Sequence, residues 1–423
     1  MRADAMEADR IDRRSFLRRA AAAAAAAAAV PAAGSVLAAC RASAGLDDAG
    51  ISTGPSPHGP TFIAPAVRGA TLRVYEWKDY LSSKVLDSFE RRFRDRDVRV
   101  EVESFLHVDE AIARLRDPAT DFDVFFPTID VLDGLIAEGL LRPLDHDRLP
   151  NLANLWPWFR SGPGPVYDPG QRYTIPYTVY SSGIGWRSDL VAAPDAPDVQ
   201  ADPYEIFWNE RYRGKVGLYD DYLEAISLAL TRAGVIEMHA ATDDQLAAAA
   251  DALGEAVRAT AVRFTADGAW EGLPEGTFAA HQAWSGDVLT APRYAAEEGD
   301  DDVAPTLRYW SPPGPEKIVG VDLTAICSRG KQPGLAHAFL NHLLAFDVAM
   351  DNFSWNGYQP PVEGLTREAF ADPAFPWRDA IAPNLLDAIV TPEAFAQGQM
   401  LVGFGPSERA RWLAQWNRVI AVS

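Results

Sequence analysis

Three carboxylates, Asp220, Asp221 and Glu224, fall within five positions of one another in the stretch LYDDYLEA at residues 218–225, with Tyr219 and Tyr222 interleaved. Acids beside aromatic rings are suited to hold an organic cation, since the carboxylates supply charge and the ring faces attract a cation through their quadrupole. The same residues fit a second reading. Asp followed three positions later by Glu is a capping box, in which the Asp accepts from an orphan N–H and the Glu reaches back. Acids also suit the positive end of a helix dipole. These eight residues leave both readings open. Asp322 favours the cation reading, because it stands inside the apolar run KIVGVDLTAIC, where an unpaired acid is costly to bury. Other chemistries find little support. The seven His form no H-E-x-x-H and no Cys/His cluster, so no metal site is expected. GISTG at 50–54 matches G-x-S-x-G but lies between linker residues, where the motif needs a strand before it and a helix after it.

The chain has 423 residues, 48% of them hydrophobic, enough for two or three domains with a sizeable core. Its formal charge of −20 argues against a nucleic-acid partner, whose phosphates it would repel, and is compatible with a cationic ligand. The N-terminus has the pattern of an export signal. Arg13 and Arg14 precede Phe16-Leu17, an Ala-rich run extends from Ala20 to Val30, and Leu37-Ala38-Ala39-Cys40 resembles a lipobox. Residues 1–39 are therefore expected to be a twin-arginine lipoprotein signal, with Cys40 lipidated after cleavage. An uncleaved anchor over residues 20–39 is the alternative. Loss of residues 1–39 removes six Arg and four acids, which takes the charge from −20 to −22. Lipidated Cys40 and the Gly/Ser/Pro-rich residues that follow, 40–70 in all, read as an anchor and flexible tether. Cys327 is then alone in an apolar stretch and reads as a core thiol.

From Thr71 onward, periodicity shows the elements that must position the acids. TLRVYEW and VRVEVESF alternate like strands, and DFDVFFPT is a dense apolar strand. SSKVLDSFERRF, VDEAIARLRD and IDVLDGLIAEGL have helical spacing, the last ended by Gly139. This order predicts a parallel α/β sheet covered by helices. RGKVGLYDD predicts a strand running into a helix, ATDDQLAAAADALGEAVRAT a capped helix and KIVGVDLTAICS a buried strand. TFAAHQAWSGDVLTA reads as helix, strand and the start of another helix, and GLAHAFLNHLLAFDVAMDNF as one long helix. Two α/β lobes suit the length.

In order and spacing, LRVYEWKDYLSSKVLDSFERRF, DFDVFFPT, RYTIPYTVYSSGIGW, GKVGLYDDYLEAISLAL, AWSGD and NGYQPP resemble bacterial extracytoplasmic polyamine-binding proteins, the spermidine/putrescine-binding components of ATP-driven importers. The resemblance runs from about residue 71 to the C-terminus. It implies an α/β, two-lobed periplasmic-binding-protein fold of type II with the ligand cleft between the lobes. It places chain crossings near Val179, near Val321 and just after Tyr358, giving lobes 71–179 with 321–360 and 180–320 with 361–423. Its ligand contacts carry over to Trp77, Tyr80, Asp221, Glu224, Trp284, Asp322, Tyr358 and Gln399. Two positions depart from the pattern: Asp130 and Gly320 stand where aromatic residues are common, so Asp130 enters the candidate set as an extra acid. The implied partners are a polyamine and an ABC permease with its ATPase. The implied protein is a monomer with no cofactor and no catalytic residue, held by its lipid anchor alone on the outer face of the cytoplasmic membrane. A solute-binding lipoprotein for a sugar, an amino-acid derivative or a chelated metal is the alternative in the same class. A secreted hydrolase with paired carboxylates is the alternative outside it.

Overall fold

The computed structural model describes residues 68–105, 107–161, 167–297, 299, 302–401 and 405–423. The expected export signal, Cys40 and all of the linker before residue 68 lie outside them.

The described chain builds one mixed sheet of eleven strands, whose main path runs through β2 (Arg99–Phe105), β1 (Thr71–Trp77), β3 (Val124–Phe125), β10 (Ile318–Cys327), β5 (Thr174–Arg187), β8 (Ala280–Trp284), β6 (Val216–Tyr219) and β7 (Arg263–Thr265), with β4 (Leu141–Arg142) and β11 (Gln399–Met400) on β10 and β9 (Leu307–Trp310) on β5. β1 (Thr71–Trp77) pairs in parallel with β2 (Arg99–Phe105) and β3 (Val124–Phe125). The returns run through α1 (Ser83–Arg92) and α2 (Val108–Arg116), and Ser82 caps α1 by accepting from the Val85 N–H. α3 (Ile129–Ala137) follows β3. Gly139 at φ +67° lets the chain leave it, a left-handed conformation that costs glycine little. A second parallel block joins β6 (Val216–Tyr219) to β7 (Arg263–Thr265) and β8 (Ala280–Trp284). Its helices are α4 (Tyr222–Arg232), α5 (Asp243–Thr260) and α6 (Ser285–Glu297).

Two long antiparallel strands, β5 (Thr174–Arg187) and β10 (Ile318–Cys327), join the blocks, β10 on β3 and β5 on β8. The sheet is thus mixed, and the parallel order expected from the sequence holds within each block. Along β5 the core changes. Ile175 and Val179 belong to a first hydrophobic cluster with Val74, Phe125 and Leu323, while Ile184 and Trp186 belong to a second with Val216, Leu218 and Ile226. A third cluster gathers Tyr219, Val288, Leu289, Met350 and Phe353. Val179 pairs with Val321 on one side and, through its N–H to the Gln359 carbonyl at 2.7 Å, with Gln359 on the other. The segments around Val179, Val321 and Gln359 therefore lie side by side.

Three expectations are corrected. DFDVFFPT forms a ladder only at Val124–Phe125, because the Asp123 carboxylate itself takes the N–H groups of Arg73 at 2.9 Å and Gln332 at 2.6 Å. The stretch from Thr277 forms no helix ahead of β8: Ala279 donates its N–H to the Lys215 carbonyl at 2.7 Å instead. The long helix is two, α7 (Pro333–Leu343) and α8 (Phe346–Asn356). The break lies within the first cluster, which holds Leu343 and Leu344 before it and Val348 after it, and α8 then reaches the third through Met350 and Phe353. The Asn154 amide donates to the freed Leu344 carbonyl at 2.9 Å. The remaining helix used below is α9 (Pro406–Ile420), whose Trp412 and Val419 enter the second cluster.

Candidate ligand-binding site

The acids of LYDDYLEA divide their roles. Asp221 is the N-cap of α4 and accepts with Oδ1 from the N–H groups of Leu223 at 2.8 Å and Glu224 at 3.0 Å. Glu224 does not reach back to complete a capping box. It is 6% exposed and turns inward, accepting from Ser182 Oγ at 3.0 Å, Trp284 Nε1 at 2.8 Å and Gln282 Nε2 at 3.2 Å. Burial raises its pKa to about 7, against the lowering effect of the Trp284 bond. Burial also raises Asp221, offset by the two backbone N–H groups.

Asp322 faces this pair from the crossing strands. In the β5–β10 ladder Asp322 lies opposite Thr178 and Leu323 opposite Pro176, so the register slips by one residue at Tyr177. Such a bulge re-aims side chains. The Asp322 carboxylate accepts from the Tyr80 hydroxyl and, at 3.2 Å, from Thr178 Oγ1. Burial raises its pKa against those two bonds. Tyr80 is held in turn through its carbonyl, which accepts from Tyr177 at 2.8 Å, Asn356 at 3.1 Å and Asn352 at 3.2 Å.

Asp287 is the acid that reading the sequence missed. It lies in the first turn of α6, 4% exposed, and accepts from the hydroxyls of Tyr219 and Tyr358, each at 2.6 Å. Burial raises it to about 6 while those two bonds lower it. Its only signal in the sequence is that it ends the AWSGD stretch that supplied Trp284.

Aromatic rings connect the acids. Trp284 stacks on Tyr219 with centroids 4.2 Å apart, and Tyr180 lies 5.7 Å from Trp284 and 6.4 Å from Tyr358. Tyr80 meets Tyr358 edge-on at 5.5 Å. Tyr180 also explains Gly320, its partner in the ladder. A Cβ on Gly320 would lie 2.1 Å from Tyr180 Cζ, so the Tyr180 ring fills the space that a side chain at 320 would need. The aromatic face that Gly320 lacks is supplied from the neighbouring strand.

Tyr80, Asp221, Glu224, Trp284, Asp322 and Tyr358 thus converge where the clusters meet on the crossing strands. The other three expected residues are differently engaged. Trp77 is half-buried and packs on Phe105 at 4.6 Å. Gln399 donates its amide to the Pro315 carbonyl at 2.7 Å. Asp130 is exposed in the first turn of α3 and pairs with Arg409 at 3.1 Å.

Chemically, the convergence collects four carboxyls, Glu224 and Asp287 buried, Asp221 and Asp322 half-buried. Their partners among the described residues are hydroxyls, an indole, an amide and backbone N–H groups, with no Lys or Arg. Such a set lacks counter-charge and is lined by apolar ring faces. An elongated organic cation supplies what it lacks. Among the described residues no group of three or more His, Cys, Asp or Glu is arranged to hold a metal ion.

Comparison with known proteins agrees with this fold. The chain is 26% identical over 322 residues to spermidine/putrescine-binding periplasmic protein 1 of Haemophilus influenzae, covering 74% of this chain and 82% of that one. It is 25% identical to the putrescine-binding periplasmic protein PotF of Escherichia coli, covering 67% of this chain and 75% of that one. The crystal structure of the spermidine/putrescine ABC transporter substrate-binding protein PotD of Streptococcus pneumoniae shares the two-lobed fold, with a TM-score of 0.67 at 20% identity, covering 84% of this chain and 99% of that one. Residues 84–382, most of the described sheet and the greater part of the acid and aromatic cluster, match one family as a continuous block, and the chain belongs to it: the bacterial extracellular solute-binding proteins.

Proposed function

We propose that the protein is the substrate-binding component of an ATP-driven importer and that it captures a polyamine of the putrescine or spermidine kind. The observation that carries this reading is the set of four carboxyls without an internal cation, walled by Tyr80, Tyr180, Trp284 and Tyr358. Each ammonium brings three donors that need acceptors, and its methylenes are covered by rings. The names of the relatives support the same ligand class. The hydrolase alternative falls, since the family is one of solute-binding proteins.

The lobes of this reading are 71–179 with 321–360 and 180–320 with 361–423, and the expected contacts from Trp77 and Gln399 belong to it. So do a lipid at Cys40, a position on the outer face of the cytoplasmic membrane, a monomeric state, and delivery to a permease and its ATPase. The mass of the mature chain tests the lipid.

Calorimetric titration with putrescine, spermidine, spermine, an amino acid and a sugar tests the ligand. One-to-one binding of a polyamine is expected, weakened about 30-fold or more in Asp322→Asn and in Asp221→Asn, because each leaves an ammonium short of its charge partner. A response to the sugar or amino acid alone would retain the receptor and overturn the ligand. Unchanged affinity in both variants would overturn the site.

A further inference from the structure

The row of acids ends in a cation of the protein's own. Arg409, on α9, donates through Nε to the Tyr222 hydroxyl at 3.1 Å and through Nη2 to Asp130 Oδ2 at 3.1 Å. Tyr222 directly follows Asp221 and shares the first turn of α4 with Glu224. The two helices belong to different cores: α9 contributes Trp412 and Val419 to the second, and the α3 helix of Asp130 contributes Leu132 and Leu135 to the first. The pair is open to solvent, with side-chain exposures of 47% for Arg409 and 33% for Asp130. From buried Glu224 through half-buried Asp221 and Tyr222, the row therefore runs outward to a guanidinium held across the gap between the cores. Asp130 stands close enough that its charge raises the pKa of both Asp221 and Tyr180.

A polyamine lying along this row meets acids without counter-charge until it reaches Arg409. An additional ammonium beyond Asp221 would find Asp130 already paired and a like charge beside it. We propose that Arg409 is a specificity-determining residue that closes this end of the site, so that the protein takes a short diamine in preference to a longer polyamine. This rests on the polyamine reading above.

The test is calorimetry on the full chain with putrescine and spermidine at low salt, for wild type, Arg409→Gln and Asp130→Asn. Wild type is expected to bind putrescine more tightly. Arg409→Gln frees Asp130 for a third ammonium and should move the affinity ratio toward spermidine by about threefold to fivefold, the scale of an exposed charge pair. Asp130→Asn leaves the guanidinium without its partner and should move the ratio the other way. Both shifts should shrink at high salt, where exposed charges are screened. A purely structural tie would weaken both ligands equally in both variants. An unmoved ratio, or shifts of the same sign, overturns the proposal while leaving polyamine capture intact. A wild type that binds neither amine overturns polyamine capture and this proposal together.

Discussion

Glu224 and Asp287 sit at about 7 and about 6, raised by burial from 4.5 and 3.8. The sign of the consequence differs with and without ligand. A carboxyl whose pKa is raised on folding contributes stability that is fully present below its unfolded pKa and is lost as pH rises through the folded value. Without ligand, these two groups therefore make the protein more stable near about pH 5 than near about pH 8. A bound dication requires the ionised forms and so pulls protons off them. Polyamine affinity should rise from about pH 5 to about pH 8, and binding between the two pKa values should release protons, read as a binding enthalpy that depends on the buffer. Glu224→Gln should remove the upper part of that pH dependence. Affinity that is flat with pH in wild type would mean that neither carboxyl faces the ligand's charge.

At the scale of elements, the crossing strands place the aromatic walls. Gly320 on β10 leaves room for Tyr180 on β5, and the obstructing atom is the far end of a ring that can swing. Gly320→Ala should therefore cost little stability yet move Tyr180 away from Trp284. The loss of one ring face, roughly 0.5–2 kcal/mol, predicts polyamine binding weaker by about threefold to thirtyfold at a nearly unchanged melting temperature. Tyr180→Phe keeps the face and should bind nearly as wild type. Equal losses in stability and affinity for Gly320→Ala would make residue 320 a packing position only. The same strands show what was legible in the sequence. Periodicity and caps are local, so Thr71–Trp77, Ser83–Arg92 with its Ser82 cap, and Asp221 at the head of α4 could all be read. Tyr80, Trp284 and Tyr358 came from a family resemblance, and they converge with Glu224 and Asp322. Asp287 was not legible, because its partners Tyr219 and Tyr358 are 68 and 71 residues away. Arg409 lies 279 residues from Asp130, and no spacing rule reaches that far. The break at Leu344–Ala345 carries neither Gly nor Pro, so no local signal marks it.

At the scale of the whole molecule, the acids are divided between cores that the crossing segments connect. Tyr80 belongs to the first cluster and bonds Asp322, whose strand neighbours Val321 and Leu323 lie in that cluster; Glu224 and Asp221 stand at the head of a helix in the second. A ligand can shift an equilibrium between open and closed forms only by binding one form better than the other. A diamine held by acids from both sides has that differential, and one held from a single side has none. Saturating putrescine should therefore reduce the radius of gyration in small-angle scattering of wild type. Asp322→Asn, brought to saturation with more ligand, should stay nearer its ligand-free dimension, because the remaining charge contacts come from one side. Asp130→Asn makes a useful contrast: it removes a tie between the sides without removing a ligand contact from the buried row, and it should still contract. If Asp322→Asn contracts as fully as wild type, closure is driven by something other than charge bridging, and the division of the acids between the lobes would not be the basis of capture.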